Sequence, residues 1–178
     1  MSTPAQALAR RPIAILNLPN AGTPLKYATI LMPDQVSAKQ GVREEALIGR
    51  LKDPNGPVAT DNFVQNRGFV RFMQESIGRH ASQCPALQGE AARVKSGLVY
   101  VLDGRRDPKG PVLPEDVFGT VQVEDGAIRH YTPGGVYRVL TDRGFMVLEN
   151  WLHARLVEDL LALPVGKVSF EEDPGGQA

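Results

Sequence analysis

The sequence predicts a single α+β domain: a mostly antiparallel β-sheet that ends in a C-terminal meander and is packed by two longer α-helices. Three observations carry this. From Pro111 onward four short runs, "DVFGTVQVE", "AIRHYTP", "GVYRVLT" and "GFMVL", are separated by "DG", "PGG" and "DRG", the spacing of hairpin-linked strands. Residues 61–83 and 150–163 place apolar side chains at helical intervals. The chain has 178 residues, 42% hydrophobic and 22% charged, enough for one core. That core is assigned to residues 13–164, between a polar arm at 1–12 and an acidic, glycine-rich tail at 165–178, both expected to be flexible.

The elements follow in order. "IAILNL" and "LKYATILM" are rich in β-formers and flank the turn "PNAGTP", so they read as a strand pair. "VREEALIGRLKD" has Val42, Leu47 and Leu51 near helical spacing and reads as a short helix, weakened at Gly49 and stopped by "PNGP". The next helix starts near Asp61, a residue suited to the N-cap, and ends before Pro85. Phe69, Phe72, Met73, Ser76, Ile77 and His80 form its inner face, and Arg67, Arg71, Glu75 and Arg79 its outer one. "PALQGEAARV" is a second, short helix leading into "GLVYVL", a strand apolar on both faces and therefore expected at the centre of the sheet. In the last helix Leu152, Leu156, Leu160 and Leu163 line one stripe, and Arg155 is placed to pair with Asp159.

Register assigns the residues of the meander to faces. A two-residue turn at Asp125-Gly126 sets Gln122 opposite Arg129 and Val121 opposite His130; a turn at Pro133-Gly134 then sets His130 opposite Tyr137 and Arg129 opposite Arg138. His130 falls on the apolar face with Val121, Val123, Ile128, Tyr137 and Val139, and is expected to be a buried, hydrogen-bonded core histidine. Arg129 and Arg138 fall on the other face, where opposed cations call for an acidic neighbour or a bound anion unless a longer turn separates them. A three-residue "DRG" loop sets Leu140 opposite Met146, leaving apolar residues on both faces at this end of the sheet. The C-terminal helix and the 61–83 helix are expected to cover one face each, and a face left uncovered would be a subunit interface.

Chemical motifs are few. Twenty basic residues balance twenty acidic ones, so no whole-molecule field draws the chain to nucleic acid or an anionic membrane. A lone cysteine, Cys84, allows no intrachain disulfide, and no apolar run approaches a membrane span, so a cytoplasmic protein is expected. His80 and Cys84 share a helical face at a spacing that suits two metal ligands, with His130, His153 or a carboxylate needed to complete a site. The expectation is a structural histidine and a buried, inert thiol, with no metal and no cofactor. Glu149 and His153 read as a simple side-chain pair. No nucleophile elbow, phosphate loop or dinucleotide fingerprint occurs. Asp103 ends the apolar strand, and Asp107, Glu115 and Asp116 follow in "DGRRDPKGPVLPED" beside Arg105, Arg106 and Lys109; turn chemistry accounts for them.

These readings point first to a non-enzymatic interaction or self-associating module that works through its meander and last helix. Trp151, Leu152, Leu156 and Leu160 are its candidate interface, and a homo-oligomer or a protein partner is expected. The alternative is a binder or enzyme for a small phosphate- or carboxylate-bearing ligand held by Arg129, Arg138 and Arg105, oriented by Tyr131 or Tyr137. Nucleic-acid binding through Arg67, Arg71 and Arg79 ranks last, because Glu75 interrupts that stripe and the net charge is zero.

Overall fold

The N-terminal strand pair forms and grows into a four-stranded antiparallel sheet, in a computed structural model that describes residues 13–20, 23–31, 35 and 42–166. The arm at 1–12 lies outside the described residues, as does the tail beyond Gly166. Strands β1 (Ala14–Asn20), β2 (Thr23–Thr29), β3 (Leu47–Leu51) and β4 (Phe63–Gln65) lie side by side in chain order. Strand β3 replaces the helix expected at 42–51, of which a single turn at Glu44–Ala46 remains. The reason is two-sided burial: Leu47 and Ile48 are adjacent and both fully buried, which a strand between β2 and β4 allows and a one-stripe helix does not. Gly49 lies opposite Gln65, and a Cβ there would run into the Phe63 ring and the Val64 carbonyl.

Helix α1 (Arg67–His80) begins later than expected, because the residues after Asp61 form a short turn and then β4. Its N-cap is Asn66, not Asp61. The Asn66 side-chain oxygen accepts the Gly68 N–H at 3.0 Å, while its amide donates to the Glu44 and Leu47 carbonyls at 3.0 and 2.8 Å. One buried carboxamide thus starts the helix and fixes it to β3. The expected faces hold: Phe69, Met73, Ser76 and Ile77 are buried, whereas Arg67, Arg71, Glu75 and Arg79 are exposed. Helix α2 (Pro85–Val94) starts on its proline and buries Leu87 and Ala91, and α3 (Asn150–Leu161) buries Leu152, Leu156 and Leu160. Among the described residues there are three α-helices, of 14, 10 and 12 residues.

The C-terminal half departs most from expectation. Strands β5 (Gly97–Leu102), β6 (Val117–Glu124) and β7 (Ala127–Pro133) form an antiparallel sheet in that order. Strands β8 (Leu140–Thr141) and β9 (Gly144–Phe145) form a separate small hairpin, so the four runs do not make one meander. After Pro133 the chain leaves the ladder: the Gly134 N–H donates to the Phe118 carbonyl at 2.8 Å, and a Cβ at Gly134 would press on the β6 backbone. The β8–β9 turn has two residues, which sets Leu140 opposite Phe145, not Met146.

Register also shifts inside the β6–β7 hairpin. Asp125 and Gly126 take positive φ and close the expected two-residue turn, with Glu124 opposite Ala127 and Val123 opposite Ile128. Arg129 is then an extra residue, so Gln122 lies opposite His130 and Val121 opposite Tyr131. This bulge turns His130 out to solvent and Tyr131 inward, correcting the expectation of a core histidine. The Tyr131 hydroxyl meets the Gln74 side-chain oxygen on α1, and Gly119 leaves the room its ring needs.

Strand β5 is an edge strand, not a central one. Val99 and Val101 point to the core, while Leu98 and Tyr100 point outward and are 68% and 56% exposed. One core joins the two larger sheets around Phe69, Met73 and Ile77 of α1. Helix α1 packs on α3, β3 and β7, and α2 on β5 and β7. Among the described residues no helix covers the outer face of the β5–β6–β7 sheet, where Leu98, Tyr100, Gln122, His130 and Thr132 are all exposed.

Two glycines should respond oppositely to alanine. Gly49→Ala is expected to lose about 1–3 kcal/mol in urea unfolding, since overpacking must push Phe63 or the β4 backbone away. Gly89→Ala, on the open face of α2 with nothing within 4 Å of the added methyl, is expected to gain about 0.5–1 kcal/mol.

Candidate functional site

Among the described residues, two clusters of charged side chains bridge separate elements. At the first, β5 runs into Asp103 and β6 is preceded by Asp116; the Asp103 N–H donates to the Asp116 carbonyl at 2.8 Å and closes the base of the intervening loop. Arg105 is buried between them. Its Nε donates to Asp116 Oδ1 at 3.1 Å, one terminal nitrogen to the Val139 and Gly144 carbonyls at 3.2 and 3.3 Å, and the other to the Glu115 and Arg138 carbonyls at 3.0 and 2.5 Å. All five donors of the guanidinium are used. Asp103 Oδ1 accepts the N–H groups of Arg105 and Val147 at 2.9 and 3.0 Å, and Oδ2 accepts the Tyr137 hydroxyl at 2.6 Å. Arg143 closes the outside, donating to Glu115 and Asp116 at 2.8 Å each.

Burial raises the Asp103 carboxyl above the usual range, against the pull of Arg105, Tyr137 and the two N–H groups. Burial likewise pushes the Tyr137 hydroxyl well up, and the Asp103 charge adds to it. This cluster commits every donor of the Arg105 guanidinium to its own chain and leaves that group nothing for a substrate. It is a clamp that ties the 103–116 loop to the β8–β9 hairpin. Arg105, one of the set expected from the sequence to hold an anion, thus has its guanidinium bonded within the chain.

The other members of that set are not brought together. Arg138 follows the chain out of the ladder, Arg129 occupies the bulge and sits 3.8 Å from Glu124, and both are exposed. Tyr131 packs inward toward Gln74. Asp107 does ordinary turn work, accepting the Lys109 N–H at 2.9 Å.

The second gathering joins α1 to α3. Asp159 Oδ2 accepts the Ser76 hydroxyl at 2.7 Å and an Arg79 N–H at 2.9 Å, and lies 3.0 Å from His80 Nε2. Partial burial works against the charge, but the bonds from Ser76 and His80, with Arg79, hold the carboxyl below its usual range. Serine and histidine both meet the same carboxylate oxygen, not each other, so the trio lacks a nucleophile–base contact. Arg155 pairs with Glu158 at 2.6 Å instead of the expected Asp159.

His80 thus meets Asp159, whereas the Cys84 sulfur lies 3.5 Å from Glu149. Burial pushes the Cys84 thiol up to about 11, far from a thiolate at neutral pH. Glu149 caps α3, accepting the Trp151 and Leu152 N–H groups at 2.9 and 3.0 Å, a role its expected side-chain pairing with His153 did not include. His153 is itself buried. No group of three or more His, Cys, Asp or Glu able to hold a metal occurs among the described residues.

The last helix, on which an interface is expected, turns its leucines inward. Leu152, Leu156 and Leu160 are at most 2% exposed and belong to the chain's own core. Trp151 is half-buried, with Arg155 over its ring and His80 against its edge. What stands open is the outer face of the β5–β6–β7 sheet, a surface missed in the sequence. Leu98, Gln122 and His130 form one row across it, and Tyr100, Thr120 and Thr132 the next. Its signal was a strand, "GLVYVL", without a charge.

Comparisons with protein-family models, curated proteins and solved structures found no match to this chain.

Two substitutions test the clamps. Arg105→Met removes the buried cation beside Asp103 and Asp116 and leaves four backbone carbonyls without their donor; it is expected to lose about 3–5 kcal/mol of unfolding free energy, with Arg105→Lys failing to restore it. Asp159→Asn is expected to lose about 1–2 kcal/mol at neutral pH. Because the folded carboxyl is held below the unfolded value of about 3.9, its stabilisation is complete above that value and fades as the pH falls through the folded one. The gap between variant and wild type should therefore narrow as the pH falls below the ordinary carboxylate range in a series of acid unfolding curves.

Proposed function

We propose that the protein is a non-enzymatic interaction module that docks a protein partner on the outer face of its β5–β6–β7 sheet. The observation that carries this is the exposure of Leu98 and Tyr100 side by side on an edge strand. A leucine alone on a surface needs no account, whereas a contiguous apolar pair on an uncovered sheet does.

The composition around the pair supports the reading. Thr120, Gln122, His130 and Thr132 complete the two rows with no carboxylate, lysine or arginine among them. Charge begins at the margin, where Glu124 and Arg129 sit 3.8 Å apart at the hairpin end. An uncharged centre holding a tyrosine, with ions at the rim, is the anatomy of a protein–protein interface. Tyrosine contributes contact area with few torsions to freeze, and threonine and glutamine contribute adaptable hydrogen bonds.

The test places a photo-reactive phenylalanine analogue at Tyr100 and, as control, at Val136, which is 61% exposed outside the strands. Irradiation in extract of the native host should give a discrete protein adduct from position 100 and none from 136. The adduct's protein, once purified, should bind the double variant Leu98→Lys, Tyr100→Lys at least about tenfold more weakly, with the variant's melting temperature unchanged. An adduct-free position 100, or equal binding by the variant, overturns the reading.

A further inference from the structure

We infer that the partner on this face is a second copy of the chain, joined through antiparallel pairing of β5 with β5 of the second copy about a two-fold axis at Val99. The inference rests on the interaction reading above and goes on to name its occupant. Its basis is a contrast between β5 and the other strand edges.

Sheet edges carry unpaired N–H and C=O groups, and proteins blunt them with proline, charge, bulges or extreme shortness. Among the described residues, each remaining edge strand carries one of these devices. Strand β1 carries Pro19; β4 is three residues long; β7 has the Arg129 bulge and ends at Pro133; β8 and β9 have two residues each. Strand β5 has none of these devices. It runs six residues without a charge or proline, and the irregularity in its ladder puts the extra residue, Phe118, on β6. Among the described residues no strand pairs with its free side.

Self-complementarity selects a second copy over an unrelated strand. Pairing about Val99 sets Leu98 opposite the partner subunit's Tyr100, and Tyr100 opposite the partner subunit's Leu98. The two most exposed side chains of the strand then cover each other twice, which only a two-fold arrangement achieves with one patch. The charge balance agrees: twenty basic and twenty acidic residues leave no net repulsion between copies. Size sets the strength. A six-residue strand pair spans about 20 Å and falls short of the ~800 Å² per partner of a standard interface, so the dimer should be reversible, with a Kd of about 1–100 μM.

Sedimentation velocity of the full chain over that concentration range should show a monomer passing into a dimer. Leu98→Lys with Tyr100→Lys should hold it monomeric at every concentration, and Val136→Lys should leave the dimer intact. Register is read separately. Leu98→Cys and Tyr100→Cys, mixed and mildly oxidised, should give a mixed disulfide faster than either variant alone gives its own, since residues 98 and 100 face each other across the axis. A wild-type chain that stays monomeric throughout, or single variants that cross-link to themselves faster than to each other, overturns the β5 pairing. In that event an adduct from position 100 to a different protein leaves the interaction reading standing, and an empty position 100 removes both.

Discussion

The C-terminal half of the fold depends on one guanidinium. Arg105 sits where β5 ends, yet the groups that satisfy it come from three other places: residues 115–116 before β6, residues 138–139 after β7, and Gly144 in the β8–β9 hairpin. None of those backbone carbonyls belongs to the β5–β6–β7 ladder, so no sheet would have brought them together. An arginine can do so because its fork presents five donors in one plane. Its burial is costly by itself, and Asp116 with Asp103 3.6 Å away offsets that cost. Through this group the hairpin is held against the end of β5, and Tyr137 is held stacked on Phe118.

Much of this was legible in the sequence where periodicity decides the outcome. The apolar stripe from Phe69 to Ile77 and the leucines of α3 are buried as their spacing requires, and the Asp125-Gly126 turn forms as its residue types require. Long-range partners were not legible. Leu47 and Ile48 read as helix because their burial depends on β2 and β4, which no local window contains. Arg129 becomes a bulge because Tyr131 can reach Gln74 only from the inner face, a demand set by α1 far along the chain. Asp103 and Arg105 read as turn residues because their hydrogen-bond partners lie on segments up to 44 residues away.

The bulge bears on the open surface as well as the core. The extra residue at Arg129 disturbs the β7 edge, sends a tyrosine inward and leaves an imidazole among threonines and a glutamine outside. The same sheet is thus guarded on one edge and plain on the other. Its inner face is committed to α1 and α2, and among the described residues its outer face and the β5 edge stay uncovered.

The Arg105 clamp also sets an order of events as the chain is made. Strand β5 and Arg105 leave the ribosome well before Gly144, which lies 39 residues downstream. At about 5–20 residues per second the guanidinium waits roughly 2–8 s for its last acceptor. Until then the charge must stay hydrated, and the end of β5 stays loose beside a bare apolar edge. For those seconds nascent chains on neighbouring ribosomes offer each other the same unguarded strand, so the crowding of a polysome is where this sequence is most exposed to pairing out of place.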